Sequence, residues 1–203
     1  NSEQIDNHTE QEHRHNWVNN CTLSPPNELI LKWAHLRPND IYLKQIIERQ
    51  TKTYTFSEVA EHALKLVSAL EHMGAQPRDK IALISKNCAE WFICDLAMTL
   101  GDFVSVPIFP TANAETIEYC LTHSETRFVI IGKLDKSDAV VEVLRSLNDL
   151  TSIALPYAED IQCDHRYNDL LATHQPSSTR PNHHDDTIMS IVYTSGTSGK
   201  PKG

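Results

Sequence analysis

The segment "TIMSIVYTSGTSGKPKG" (residues 187–203) joins an apolar run directly to a loop of glycine, hydroxyl and lysine residues. The whole chain has only 6 glycines in 203 residues, yet Gly196, Gly199 and Gly203 lie within its last eight positions. Because glycine adopts positive φ and has no side chain, it lets backbone amides converge on an anion. We therefore interpret residues 187–194 as a buried strand, followed by a binding loop at its carboxyl end, where open α/β folds bind ligands.

The chemistry of this loop fits a polyphosphate better than a carboxylate or a metal. Its hydroxyls supply neutral donors and its lysines supply positive charge. It is not a Walker A motif, because Thr194 stands where that motif requires glycine and Pro201 where it requires a hydroxyl. A flexible linker has a similar composition, but direct attachment to the strand and the stiff ring of Pro201 favour phosphate binding. The candidate phosphate-binding residues are Thr194, Ser195, Gly196, Thr197, Ser198, Gly199 and Lys200.

Upstream of the loop, short apolar runs alternate with helical patterns of about ten to fourteen residues. This alternation predicts an α/β fold in which helices cover both faces of a parallel sheet. Two earlier β-like runs, at 41–47 and 52–56, could pair as a hairpin. The predicted strands are 80–85, 103–109, 127–131, 152–155 and 187–194, and the predicted helices with their caps are 27–37, 55–74, 87–101, 114–123, 137–147 and 167–173.

Two capping-box patterns predict where helices begin. "TFSE" pairs Thr55 with Glu58, and "NCAE" pairs Asn87 with Glu90. Both carboxylates are therefore interpreted as helix caps rather than as acid–base catalysts. Ser85 and Asn87 follow a predicted strand at its carboxyl end and could face a nucleotide cleft, although capping alone accounts for Asn87.

The helical pattern at 87–101 is apolar almost all round, which predicts burial on more than one side. Within it, Trp91 and Phe92 could line a pocket for an acyl chain, but their helical spacing is more typical of core residues. Three of the five cysteines also fall in apolar helical patterns, and no C-x-x-C occurs, which predicts buried, reduced thiols. The five cysteines are Cys21, Cys88, Cys94, Cys120 and Cys163.

Composition excludes several classes of protein. The formal net charge of -9, with no basic stripe, argues against nucleic acid as a partner. No apolar run approaches the roughly 20 residues that cross a bilayer, and the first twenty residues lack the apolar core of a signal peptide. These features predict a soluble, cytoplasmic protein with a flexible polar tail at 1–20 and one folded unit at 21–203.

Three clusters contain residue types that ligate metals but lack the spacing of known zinc sites. They are interpreted as solvated segments. The clusters are His8, His13 and His15 in the tail, "CDH" at 163–165 and "HHDD" at 183–186.

The segment "YTSGTSGKPKG" closely resembles the phosphate-loop signature of the adenylate-forming (AMP-binding) superfamily, which includes the acyl-CoA synthetases. The resemblance extends over about residues 27–203, through "TYTFSEVAEHALKLVSALEHMGAQPRDKIALISKNCAEW" and "GDFVSVPIFPTANAETIEYCLTHSETRFVII". It implies the N-terminal part of that family's adenylation domain, truncated inside the phosphate loop. Within the family, "IYLKQI", "SKNCAEW" and "SVPIFPT" most resemble the long-chain fatty acyl-CoA synthetase branch.

This resemblance implies an acid–thiol ligase that uses ATP, Mg2+ and coenzyme A. A carboxylic acid, expected to be a fatty acid, becomes an acyl-adenylate with release of pyrophosphate, and the acyl group then passes to coenzyme A. The resemblance implies that Thr194 to Lys200 bind the phosphates of ATP. It also implies that the catalytic and metal-binding residues lie downstream of this chain. It leaves peripheral membrane contact open.

Two alternatives remain open from the sequence. The chain could belong to a non-catalytic nucleotide- or phosphate-binding module, or to an enzyme that adenylates an aryl, amino or short-chain acid. The 203-residue chain alone is expected to be inactive. One reason is that the loop ends at Gly203, so that residues anchoring its far end would be missing.

Overall fold

The computed structural model describes residues 26–47, 50–181, 183, 186–194 and 201–203, with the side chains of 26 and 27 left out. The tail predicted at 1–20, with its three histidines, lies outside the described residues, as does Cys21. The helices are α1 (Pro26–Leu36), α2 (Phe56–His72), α3 (Ala89–Leu100), α4 (Ala114–His123), α5 (Asp138–Ser146) and α6 (Tyr167–Thr173). The strands are β1 (Ile41–Ile47), β2 (Gln50–Thr55), β3 (Lys80–Ile84), β4 (Val104–Ile108), β5 (Phe128–Ile131), β6 (Thr151–Ala154) and β7 (His165–Arg166).

Five strands form a parallel sheet in the order β4-β3-β5-β6-β7 within the described part of the chain. This confirms the predicted fold class. The carboxyl ends of β4, β3, β5 and β6 therefore meet along one edge, and the loops that follow them lie side by side. The short strand β7 at 165–166 was not predicted.

Helices cover both faces of the sheet because its strands are apolar on both sides. In β3, Ile81 and Leu83 belong to a core with α1, α2, α3 and α6, whereas Ala82 and Ile84 belong to a second core with α4 and α5. Period-two alternation sends neighbouring side chains to opposite faces. A run such as "KIALI" is therefore buried on both sides, as the sequence indicated.

The predicted hairpin is confirmed, since β1 and β2 pair antiparallel. The capping box that opens α2 is confirmed as well: Thr55 and Glu58 exchange both of its hydrogen bonds. Gly74, with φ of +91°, follows the end of that helix in the left-handed region that glycine tolerates.

The second capping box is wrong. The residue preceding α3 in the cap position is Cys88, which makes no side-chain capping bond, and the Glu90 side chain turns into the core. The prediction for Phe92 is also wrong, because its side chain is exposed, whereas Trp91 packs half-buried against the core of α1, α2, α3 and α6. Cys88, Cys94 and Cys120 are buried free thiols, as predicted, and Cys163 is half-buried.

The predicted strand at 187–194 is not a regular strand. It runs parallel to β4 and touches it at Ser105, whose amide donates to Met189 O (3.0 Å) and whose carbonyl accepts from Ile191 N (2.9 Å). Ile188 and Val192 are exposed, so the segment lies along the β4 edge instead of inside the sheet. Burial needs a neighbour on each side, and the described residues supply only β4.

The polar segment before it is not simply solvated. Ser177 is buried and donates its amide to Leu64 O (3.0 Å), while Glu71 accepts from its hydroxyl (3.0 Å). His183, with a side chain only 5% exposed, donates from Nε2 to Thr99 O (2.8 Å). These contacts hold the described residues of 177–190 across α2 and the end of α3. Within the described residues, none of the helices has the length and apolar character that crossing a membrane would require.

Candidate functional site

Two cavities flank the carboxyl end of β4, and Pro107, Ile108 and Phe109 line both of them. The first cavity has a volume of about 400 Å³ and lies between β4, the start of α4 and the described ends of the glycine-rich loop. The second has a volume of about 610 Å³ and lies towards β3 and α3. Both are at the edge of the sheet where ligands of open α/β folds bind.

The glycine-rich loop is closed at its base by two backbone hydrogen bonds. Thr194 N donates to Lys202 O (2.9 Å), and Lys202 N donates to Thr194 O (3.0 Å). Of the predicted phosphate-binding residues, Thr194 lies at the first cavity, together with Pro201. The expectation that residues anchoring the far end of the loop are missing is therefore wrong, because Lys202 anchors that end on Thr194. The other predicted members, Ser195, Gly196, Thr197, Ser198, Gly199 and Lys200, lie outside the described residues.

Tyr193 fixes the loop base to the protein core. It is only 5% exposed and packs in the core of α4 and α5, and its hydroxyl lies 2.8 Å from Nδ1 of His123, the last residue of α4. Burial, and secondarily Cys120, raise the pKa of the Tyr193 hydroxyl above its ordinary value. The hydroxyl therefore stays protonated and able to donate over the physiological pH range. The sequence analysis did not single out either residue.

Gly203 completes this arrangement at the far end of the loop. A Cβ atom at this position would lie 2.9 Å from the Tyr193 ring and 2.9 Å from Ile191 Cγ2. The absence of a side chain thus lets the returning backbone approach the ring that supports the outgoing backbone. Both ends of the loop contact the same tyrosine.

The second cavity collects polar groups from two neighbouring strand ends. Ser85, Lys86, Asn87 and Trp91 line it, so Ser85 and Asn87 do face a cavity, while binding of a nucleotide there stays a prediction. The hydroxyl of Ser85 donates to Lys86 O (2.7 Å) and accepts from Lys133 N (2.8 Å), which ties the end of β3 to that of β5.

The described part of this edge offers some donors for an anion, although the lysine that lines the second cavity is paired with an aspartate. Lys86 lies beside the second cavity and pairs with Asp135, and Lys133 is exposed after β5. The start of α4 borders the first cavity, and amides at a helix N-terminus attract negative charge. Among the described residues, no Asp or Glu lines either cavity. The described lining therefore fits phosphate groups but offers no carboxylate ligand to a magnesium ion.

Glu90 belongs to a buried polar cluster that sequence analysis missed. Its side chain is 1% exposed and accepts from the hydroxyls of Tyr54 and Tyr157 (2.7 Å for Tyr157) and from Lys52 Nζ (3.1 Å). Burial alone would raise the pKa of Glu90, but the bonds from Tyr54 and Tyr157 outweigh it and hold that pKa below its ordinary value. The cluster joins β2, α3 and the loop after β6, and none of its residues lines either of the two cavities. No local pattern marks it.

Comparison with known proteins finds a family model and relatives that match most of this chain. A family model described as "AMP-binding enzyme" matches residues 30–203. Long chain acyl-CoA synthetase 1 of Arabidopsis thaliana is 25% identical over 181 residues, which cover 79% of this chain and 26% of the plant protein. This chain thus spans about a quarter of that relative's length.

Solved structures share the fold. Acetoacetyl-CoA synthetase from Streptomyces lividans superposes with a TM-score of 0.77 at 21% identity, covering 86% of this chain and 29% of that one. The anthranilate CoA ligase AuaEII, in complex with anthranoyl-AMP, superposes with a TM-score of 0.75 at 20% identity, covering 91% of this chain and 35% of that one. At these identities the likeness establishes the fold.

Proposed function

This chain belongs to the AMP-binding enzyme family, and on that basis we propose that it is the N-terminal part of an ATP-dependent acyl-CoA synthetase. The observation that carries the proposal is the closed base of the glycine-rich loop beside a cavity at the carboxyl edge of the sheet. Residues Thr194 to Lys200 hold the β- and γ-phosphates of ATP and the departing pyrophosphate.

In the first step, a carboxylate oxygen of the substrate attacks the α-phosphate, and the bond from that phosphorus to pyrophosphate breaks. The substrate is already ionised at pH 7, so no general base is needed. In the second step, the sulfur of coenzyme A bonds to the acyl carbon, the bond from that carbon to the phosphate oxygen of AMP breaks, and the thiol proton passes to solvent. The chain contributes by positioning the phosphates and by stabilising their charge with hydroxyl, amide and lysine donors.

Magnesium, when bound, neutralises phosphate charge in reactions of this kind. The described residues do not supply its carboxylate ligand, so we place that ligand in another part of a longer protein and derive no step through the ion. The catalytic residues are proposed to lie there as well.

A fatty acid is the proposed acid substrate, and the likeness to a long-chain acyl-CoA synthetase supports it. The two structural neighbours act on other acids by their names, acetoacetate and anthranilate, so a short-chain or aryl acid is the competing proposal. A non-catalytic module that binds nucleotide is the second candidate. A phosphate-binding loop by itself is as consistent with this module as with an acyl-CoA synthetase.

The test is to compare Ser195→Ala and Thr197→Ala with the wild type in the longest form of the protein that has activity. Each change removes a hydroxyl donor to a charged oxygen, worth about 1.5–3 kcal/mol. We expect a loss of about 10- to 150-fold in acid-dependent exchange between pyrophosphate and ATP, because 1.4 kcal/mol is a factor of ten. Gly196→Val and Gly199→Val should lose more, since valine resists positive φ and blocks backbone approach.

Thr53→Ala is the matched control, because Thr53 is an exposed hydroxyl residue on β2, outside both cavities. Unchanged exchange in both loop hydroxyl variants would remove the phosphate-binding role. ATP binding without any acid-dependent exchange would instead favour the non-catalytic module. A panel of fatty, aryl and short-chain acids in the same assay decides the acid class.

A further inference from the structure

We propose that His123 and Tyr193 form a positioning pair that holds both ends of the phosphate loop at the mouth of the first cavity. The inference rests on the proposed function only for the identity of the ligand. Its structural part concerns the loop base, defined as residues 193–194 and 201–203, which the structure describes.

The pair connects two elements that are far apart in the chain. Its 2.8 Å contact spans 70 residues, from the last residue of α4 to the residue directly before Thr194. The His123 ring is held in turn by Tyr119, which stacks on it with a centroid distance of 5.3 Å and an interplanar angle of 25°. Although the imidazole is exposed, Tyr119 on the same helix therefore restrains its orientation towards the loop base.

Tyr193 connects the His123 contact to both ends of the loop. Its backbone leads directly into Thr194, which exchanges two hydrogen bonds with Lys202. Its ring is the surface against which Gly203 packs. A shift of the ring would move the outgoing backbone and the returning backbone together.

Ile191 also supports the loop base, since it packs against the core of α4 and α5 and lies beside Gly203, but it is only half-buried. Upstream, Ile191 N bonds to Ser105 O (2.9 Å), while the neighbouring Val192 is exposed. Tyr193 is thus the buried anchor between β4 and the loop. Losing its hydroxyl contact removes a restraint at the point where a phosphate loop needs its amides fixed, because donors must be held in place before the ligand arrives.

Either partner can be the donor in this contact, since a hydroxyl both donates and accepts and an imidazole nitrogen can do either. We therefore infer a positioning role for the pair.

The test uses hydrogen exchange at the amides of Thr194 and Lys202, which reports the loop base without any assumption about activity. His123→Ala and Tyr193→Phe should each accelerate exchange at these two amides by about two- to twelvefold, the range for one neutral hydrogen bond. His123→Asn keeps a polar atom at the Nδ1 position and should restore wild-type exchange. The double variant His123→Ala/Tyr193→Phe should be no worse than either single variant, because both remove the same contact.

Controls separate this effect from general destabilisation. In the wild type, Thr194 and Lys202 should exchange faster than Val129 in the buried strand β5, because the loop base opens locally whereas Val129 opens only when the fold unfolds. Unchanged exchange at Thr194 and Lys202 in the variants would overturn the proposal. Wild-type exchange at these two amides that is as slow as at Val129 would overturn it as well, because their acceleration would then report only lost global stability.

The ligand is tested with ATP in the longest active form of the protein. His123→Ala and Tyr193→Phe should raise KM for ATP by the same two- to twelvefold factor, about that of one hydrogen bond, and leave KM for the acid unchanged. Faster exchange with an unchanged KM for ATP would overturn the link between the pair and phosphate binding. If the wild type neither binds nor uses ATP, the proposed function fails, and hydrogen exchange still decides whether the pair positions the loop base.

Discussion

The substitution Glu90→Gln tests the buried cluster that joins β2, α3 and the loop after β6. Glutamine keeps the shape of the side chain but removes its charge. Hydrogen bonds to a charged group are worth about 1.5–3 kcal/mol and neutral ones about 0.5–1.5 kcal/mol, so each of the bonds from Tyr54 and Tyr157 should weaken by about 1 kcal/mol. Lys52 is half exposed, with 49% of its side chain accessible, so its ion pair adds little.

Removal of the charge also removes the cost of burying a carboxylate, but the hydrogen bonds to Glu90 outweigh that cost, since its pKa lies below the ordinary value in the folded protein. We therefore expect a net decrease of about 1–2 kcal/mol in the free energy of unfolding at pH 7. With a urea m-value of about 2 kcal/mol/M, the midpoint should fall by about 0.5–1 M. The measurement is urea unfolding followed by circular dichroism.

The pH dependence of the free energy of unfolding tests whether the charge of Glu90 causes this difference in stability. Hydrogen bonds from the tyrosines hold the pKa of Glu90 below its ordinary value, so its contribution to stability is complete above the unfolded pKa of about 4.3. That contribution is lost as the pH falls through the lower folded pKa. The difference between wild type and Glu90→Gln should therefore shrink between pH 6.5 and pH 3.5.

Two variants serve as controls for this prediction. Tyr157→Phe keeps the carboxylate and removes one donor, so it should be destabilised and should show a weaker pH dependence than the wild type. Tyr42→Phe changes an exposed tyrosine on β1 and should behave as the wild type. A difference between wild type and Glu90→Gln that is equal at both pH values would refute the reasoning.

Two further predictions concern the strand ends and the isolated chain. Gly132→Ala should destabilise the fold by about 1–3 kcal/mol, because its Cβ would lie 2.4 Å from Ser85 Oγ and 2.7 Å from Ser85 Cβ. In urea unfolding, adding Ser85→Gly, which removes both of these atoms, should recover part of the loss, and strict additivity would rule out this clash. The 203-residue chain by itself is expected to release no pyrophosphate that depends on the acid, when it is given ATP, magnesium and fatty acids. The reason is that it spans 26% of its plant relative, and positioning of the reactants, worth about 7–11 kcal/mol, requires groups from the remainder. Release well above the blank would show that this chain is catalytically sufficient.

Local patterns were sufficient wherever neighbouring residues decide the structure. Helix α4 occupies 114–123 as predicted, because Asn113 caps it by accepting from Thr116 N (2.9 Å). The apolar runs at β3, β4 and β5 form parallel strands whose ends all lie within one residue of the predicted ends, since burial on both faces requires continuous apolar sequence. The signature at 193–203 identified the family before any fold was known.

Local patterns failed where a distant residue competed for the same side chain. "NCAE" has the letters of a capping box, but Glu90 accepts from Tyr54, 36 residues before it, and from Tyr157, 67 residues after it. A buried carboxylate with several donors is more favourable than an exposed cap, and no short window of sequence contains those donors. Phe92 was misjudged for a related reason, because a helix that is apolar all round does not reveal which side its neighbours leave open.

The sequence by itself determined the α/β class and the positions of most regular elements, because these follow from periodicity and residue type, while phosphate binding by the glycine-rich loop stays a prediction from its composition. The tertiary structure alone decided that residues 187–194 lie on the β4 edge and that Lys202 closes the loop on Thr194. It alone also brought His123 to Tyr193. Each of these depends on atoms that are separated along the chain and meet only when the sheet and its helices have packed.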